Sequence, residues 1–166
     1  MPIYGDFMYF ANYRPNYLTV RNPGNLPSFP TEYEPCGAQM SLAFHRSGDP
    51  LDGLGYPCQE TMLTVPRYFT YDGVTCIVSV PELYWYLKGR YEDPENHRGS
   101  ESDLRSKLAG RFGIVAFGWR HIDIWADQGL YDTVCPYDIS GLFNDVSVAK
   151  RGLFFWEIQD STASDF

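Results

Sequence analysis

The stretch Gly118–Trp125, Gly-Trp-Arg-His-Ile-Asp-Ile-Trp, constrains this chain more than any other. At a period of two, His121, Asp123 and Trp125 share one face, and Ile122 and Ile124 share the other. That is the pattern of a β-strand. A buried apolar strand does not normally spend two positions on polar groups, because each must be compensated. Just upstream, Gly113–Phe117 is an unbroken apolar run of the kind found in central strands. Downstream, Asp127-Gln128-Gly129 reads as a tight turn and Leu130–Val134 as the returning chain. The fold must therefore hold strands that carry an imidazole and a carboxylate side by side.

The other elements are placed around this region. Residues 1–35 are rich in Tyr, Pro and Asn. Gly5–Tyr13 reads as a short helix stopped before Pro15, and Pro23, Pro27, Pro30 and Pro35 mark an ordered loop. From Cys36 to about His45 the pattern is helical, with Met40, Ala43 and Phe44 at helical spacing from Cys36. Pro35 suits a helix start and Gly48 a stop. Residues 48–77 are turn-rich, with a turn or hairpin at Thr70–Val74. Ser79-Val80-Pro81-Glu82 opens a second helix carrying Leu83, Tyr84 and Leu87 and ending at Gly89. Residues 90–100 read as an exposed loop. Glu101–Ala109 reads as a third helix, apolar at Leu104 and Leu108. Residues 135–149 read as irregular, Gly152–Ile158 as a last strand, and 159–166 as a polar tail. Helices first and antiparallel strands last predict a single α+β domain over residues 1–166.

Composition narrows the partners. The net charge of -8 leaves no excess of Lys and Arg to replace the counterions of a nucleic acid. It is compatible with a basic protein partner. No run is long enough to span a membrane, and Met1–Asp6 lacks the basic and apolar regions of a Sec signal peptide. The four cysteines, Cys36, Cys58, Cys76 and Cys135, show no Cys-x-x-Cys spacing, so a zinc ribbon is not expected. His121, Asp123 and Asp132 lack a second histidine at ligand spacing. No metal or other cofactor is expected. Cys58, Cys76 and Cys135 read as structural, with room for a disulfide between two of them in an oxidising space.

The chemistry these residues allow is nucleophilic. A thiol reacts as the thiolate, which an adjacent imidazole and a helix N-terminus both favour. Cys36 is placed at such a helix start. The imidazole of His121 needs an acceptor for its second N–H to fix tautomer and orientation. A two-residue loop at Asp127-Gln128 or at Gln128-Gly129 sets Asp132 on the face of His121, whereas a three-residue loop does not. Asp132 is the first candidate by this geometry. Asp123, two residues along the same strand, is its competitor. The Cys36 backbone N–H would supply one oxyanion donor, a contact worth about 3 kcal/mol of barrier.

Glu34-Pro35-Cys36-Gly37-Ala38-Gln39-Met40-Ser41 resembles the cysteine-bearing helix start of the type VI secretion amidase effector 4 family. Arg120-His121-Ile122-Asp123-Ile124-Trp125 resembles that family's histidine strand. Gly113–Phe117, Gly152–Trp156 and the helix opened by Val80-Pro81-Glu82 match its flanking elements in kind. The chain departs from the family pattern at Pro35, Gly37, Gln39 and Arg120. The resemblance implies a papain-like NlpC/P60-type fold, helices packed on an antiparallel sheet, and hydrolysis of the D-Glu–diaminopimelate amide in peptidoglycan stem peptides. It implies Cys36 as nucleophile, His121 as base and Asp132 as orienter. It also implies synthesis in the cytoplasm, export through a type VI apparatus without a Sec signal, action in a target-cell periplasm, and a cognate immunity protein. The rival readings are a thiol peptidase of the same fold acting on proteins, and a binding module that has lost catalysis.

Overall fold

The apolar run at 113–117 lies in the middle of a sheet, as a stretch with no polar face must. The computed structural model describes residues 3–5, 36–46, 51, 68–71, 73–77, 79–131 and 138–160. The chain divides into two units, residues 8–90 and residues 1–7 with 91–166.

In the second unit the strands are β1 (Ile3–Gly5), β4 (Glu95–His97), β5 (Arg111–Phe117), β6 (His121–Asp127), β7 (Gly129–Leu130) and β8 (Leu153–Asp160). Their order is β1-β8-β5-β6-β7, with β4 also on β8. The β5–β6 and β5–β8 ladders are antiparallel, and β1 joins β8 in parallel. β4 takes the N-terminal half of the β8 edge and β1 its C-terminal half. Three helices accompany the sheet: α3 (Glu101–Leu108), α4 (Ile139–Phe143) and α5 (Val146–Arg151). Leu104 and Leu108 of α3, Phe143 of α4 and Val148 of α5 form one buried cluster with Val115, Phe117, Trp125 and Phe155 of the sheet. The other face of the central strands, Ile114, Ala116, Ile122 and Ile124, is also buried. Both faces of β5 and β6 are therefore out of water.

The reading of the chain as α+β stands, with helices and a largely antiparallel sheet. Three local expectations change. Residues 90–100 are not wholly an exposed loop, because Tyr91 is buried and β4 pairs along β8. Residues 135–149 are not wholly irregular: Asp138 caps α4 by accepting from the Ser140 N–H, and Asp145 caps α5 by accepting from the Ser147 N–H. Strands do not all come last, because β1 is drawn from residues 3–5. The expected helix over Gly5–Tyr13 lies outside the described residues beyond Gly5, which ends β1.

Capping fixes α3 where the sequence placed it. The Ser100 hydroxyl accepts from the Asp103 N–H, and the Asp103 carboxylate accepts from the Ser100 N–H at 3.1 Å. The Ser100 hydroxyl, which donates to that carboxylate at 2.8 Å, and then the Ser100 N–H hold the Asp103 carboxyl below its ordinary range. Arg111, paired with Glu95, does the same to the Glu95 carboxyl. A carboxyl lowered in the fold contributes stability that is complete above its ordinary value and is lost as pH falls through the folded value. Melting temperature is expected to fall as pH drops below the ordinary carboxyl values, about 4 to 4.5. Asp103→Asn should lower it at pH 7 and flatten that slope. A slope unchanged by the substitution would show that other groups govern acid unfolding.

The turn that feeds β6 is fixed to α5. Gly118 has φ +54°, and a Cβ there would meet the Ser147 carbonyl oxygen at 2.5 Å. Trp119 N–H donates to Ser147 Oγ at 2.7 Å, and Arg120 N–H closes the turn on the Phe117 carbonyl at 2.9 Å.

In the unit of residues 8–90, α1 spans Cys36–Arg46, β2 and β3 (Tyr68–Tyr71 and Val74–Ile77) form the antiparallel hairpin expected near Thr70–Val74, and α2 spans Val80–Arg90. Helix α2 runs one residue past Gly89. Its first turn is capped by Ser79 Oγ, which accepts from the Glu82 N–H at 3.3 Å. Ala38 and Leu42 of α1 pack with Tyr71, Val74 and Cys76 of the hairpin. Ser41 adds a polar clamp: its hydroxyl donates to the Gly37 carbonyl at 2.8 Å and accepts from the Ile77 N–H at 3.0 Å. The helix that begins at Cys36 is thereby tied to β3. Residues before Cys36, Pro35 included, lie outside the described residues.

Candidate active site

Strand β6 places His121 and Asp123 on one face, as period two requires. Both are buried, 1% and 0% exposed. Carboxylate Oδ2 of Asp123 lies 2.9 Å from His121 Nε2, and Oδ1 accepts from the Ile124 backbone N–H at 2.7 Å. Both oxygens of a fully buried carboxylate are thus engaged, which is what burial of that group demands. The His121 ring also stacks on Phe117, its cross-strand partner, with centroids 6.5 Å apart and planes 28° apart. Phe117 is itself held edge-on by Phe143 at 5.1 Å. The imidazole is therefore fixed by a charged hydrogen bond on one side and by packed aromatic rings on the other. Because a carboxylate only accepts, the bond from Asp123 sets a proton on His121 Nε2.

The far end of β6 is fixed as well. Trp125 Nε1 donates to the Leu108 carbonyl at 2.9 Å, anchoring the end of α3. The following turn is the Asp127-Gln128 alternative, with Ala126 facing Gly129 and Trp125 facing Leu130. Asp127 turns the chain at φ +63°. Asp132 lies outside the described residues, as do Cys58 and Cys135. Of the two carboxylates proposed for His121, the structure brings Asp123 to it.

Cys36 is the first residue of α1, 2% exposed and carrying a free thiol. At that position the first-turn N–H groups have no acceptor within the helix, and the helix dipole favours negative charge. Cys76 is a different kind of thiol. It is buried, also free, and its Sγ lies 3.6 Å from the Val74 carbonyl. Burial pushes it up from 9.0 to about 12. A thiol so raised holds roughly a thousandth of the ordinary thiolate at neutral pH. Iodoacetamide should therefore modify Cys76 in the native protein at least about a hundredfold more slowly than in urea. Peptide mapping of the alkylated cysteines checks this, and equal rates in the two conditions would rule it out.

Sequence reasoning missed two supports of the histidine: the Phe117 ring and the Ile124 N–H. The first was visible as the last residue of the apolar run. The second is a backbone group with no sequence signal. An open cleft of about 700 Å³, lined in part by Ser100, Ser106, Gln128 and Asn144, lies near the opposite end of β6. It is about 20 Å from His121 along the strand, and its Glu101 is already bonded to Ser140, Arg105 and Asn144. It has no part in the chemistry above. Among the described residues no group of three or more His, Cys, Asp or Glu is placed to hold a metal ion, and no helix is long and apolar enough to cross a membrane.

These features define an α+β fold with a buried imidazole–carboxylate pair on an inner strand and a cysteine at a helix start. The fold is shared with solved structures of an effector–immunity system. One is the Tae4/Tai4 effector–immunity system from Salmonella typhimurium, in a selenomethionine variant. It is 16% identical, covering 92% of this chain and 95% of that one, at a TM-score of 0.57. Another is the effector Tae4 from Salmonella typhimurium in complex with the immunity protein Tai4 from Enterobacter cloacae. It is 15% identical, covering 92% of this chain and 96% of that one, at a TM-score of 0.53. No protein-family model matches the sequence, and no curated protein matches it.

Proposed function

We propose that the chain is a cysteine amidase of NlpC/P60 type, a type VI secretion effector that cleaves peptidoglycan stem peptides at the D-Glu–diaminopimelate amide. The observation that carries this reading is the buried pair of His121 and Asp123, joined at 2.9 Å on an inner strand. An imidazole held in one tautomer by a carboxylate is the equipment of a nucleophilic hydrolase. The fold held in common with Tae4 effectors, and the cysteine at a helix mouth, support the same reading.

In this reading residues 1–166 serve as a single amidase domain. In the mechanism, the Cys36 thiol gives its proton to His121 Nδ1, and the thiolate attacks the stem-peptide carbonyl carbon. The tetrahedral oxyanion is received by backbone N–H groups at the start of α1. The His121 imidazolium then protonates the amine as the C–N bond breaks, leaving a thioester on Cys36. Water, deprotonated by His121, attacks the thioester and releases a carboxylate and the free thiol. Asp123 holds His121 throughout, and Asp132 stands as the second carboxylate for that task. The protein is made in the cytoplasm, passes through a type VI apparatus without a Sec signal, acts in the target periplasm, and is neutralised at home by an immunity protein. No cofactor or membrane enters the scheme.

Digestion of purified peptidoglycan, followed by mass analysis of the fragments, tests this directly. A new free amine at diaminopimelate is the expected product. Cleavage of protein substrates with none at the cell wall would indicate a thiol peptidase. No hydrolysis of either would indicate a binding module.

A further inference from the structure

The chain is acidic overall, yet two guanidinium groups lie at the turn leading into His121 and a third on the end of α5. Arg120 precedes the histidine, is 40% exposed at its side chain, and lies 3.8 Å through Nε from Asp145, the residue that caps α5. Arg151, at the end of α5, sets its guanidinium over the Trp119 ring at 4.9 Å. Trp119 also stacks on Phe154, with centroids 5.5 Å apart. Arg98 crosses from the β4 end and donates to the carbonyls of Ala149 and Lys150 at 3.3–3.4 Å. Lys150 is exposed beside it. Four of the thirteen Lys and Arg residues thus gather where the turn 118–120 meets the last turn of α5. The bonds of Trp119 and Gly118 to α5 and its following residue hold that meeting place rigid.

We infer that Arg120, with Arg151, Lys150 and Arg98 around it, forms an anion-reading rim that captures the free carboxylates of the stem peptide beside His121. This rests on the function proposed above and names the substrate feature that the site selects. The physical need is plain. An enzyme carrying a net charge of -8 repels an anionic substrate unless its field is reversed locally. Guanidinium groups are suited to the task because their planar donors pair with carboxylates in a fork. An amide between D-Glu and diaminopimelate has carboxylates close to it on both sides.

The test compares stem peptides with free carboxylates against the same peptides amidated at those groups, using wild type and the double variant Arg120→Gln/Lys150→Gln. Wild type should prefer the free-carboxylate substrate by about tenfold in kcat/KM, through KM, and the preference should shrink as salt rises. The double variant should lose most of that preference. Equal loss on both substrates, or a preference untouched by the substitutions, would overturn the rim while leaving the amidase reading intact. Failure of wild type to cleave either peptide would overturn both.

Discussion

Cys36→Ala should leave a folded protein whose hydrolysis of stem-peptide amide is reduced by at least about 10⁴-fold. The thiol is the only group in the scheme that can make the acyl-enzyme bond, and alanine removes it without adding bulk. The side chain is small and buried at the start of α1, so the cost in stability is about 1 kcal/mol or less. Muropeptide analysis by mass spectrometry measures the rate, and circular dichroism melts confirm the fold. Expression of the variant directed to the periplasm should be harmless where wild type lyses cells. A variant that retains activity within tenfold of wild type would remove Cys36 from the mechanism. Cys36→Ser gives a second check, since it retains a hydroxyl of similar size whose proton is far harder to remove. It should be nearly as inactive as the alanine variant.

The sequence made β5, β6 and β8 legible because buried strands must be apolar, and α3 legible because Leu104 and Leu108 recur at helical spacing. It left β4 unread because Glu95-Asn96-His97 has no apolar face to alternate. Those residues add to the edge of β8, and backbone pairing leaves no mark on side-chain pattern. Helices α4 and α5 were missed because five and six residues are too few to display a period of 3.6. Their one local sign was the repeated Asp-x-Ser cap at 138–140 and 145–147. The parallel partner of β8 could not be found locally at all, since Ile3 meets Ile158 from the other end of the chain. At the site, the shared face of His121 and Asp123 followed from periodicity alone. Ranking Asp123 against Asp132 did not, because strand register fixes only which face a side chain takes. The rotamer that carries Oδ2 to Nε2, with Oδ1 turned to the Ile124 N–H, is a fact of packing.

That rotamer carries the second large effect. Asp123→Asn should lower kcat by about 10²–10⁴-fold while leaving KM within a few-fold of wild type. A carboxylate can only accept, so its bond to Nε2 forces the proton onto that nitrogen, and in the proposed mechanism Nδ1 is then the base. Asparagine can instead turn its NH₂ toward Nε2. The imidazole then carries its proton on Nδ1, the wrong nitrogen to accept one from a thiol. The substitution keeps shape and volume, so the loss is one of tautomer and of imidazolium stabilisation, not of packing. Two readouts separate this from simple unfolding. Nitrogen NMR of the His121 ring should show the proton moved from Nε2 to Nδ1. Asp123→Glu should fare as badly, since one more methylene cannot be placed in a site with 0% exposure while both oxygens keep their donors. Activity of Asp123→Asn near the wild-type level, with Asp132→Asn inactive, would move the orienting task to Asp132 and leave Asp123 as the buried brace of the strand.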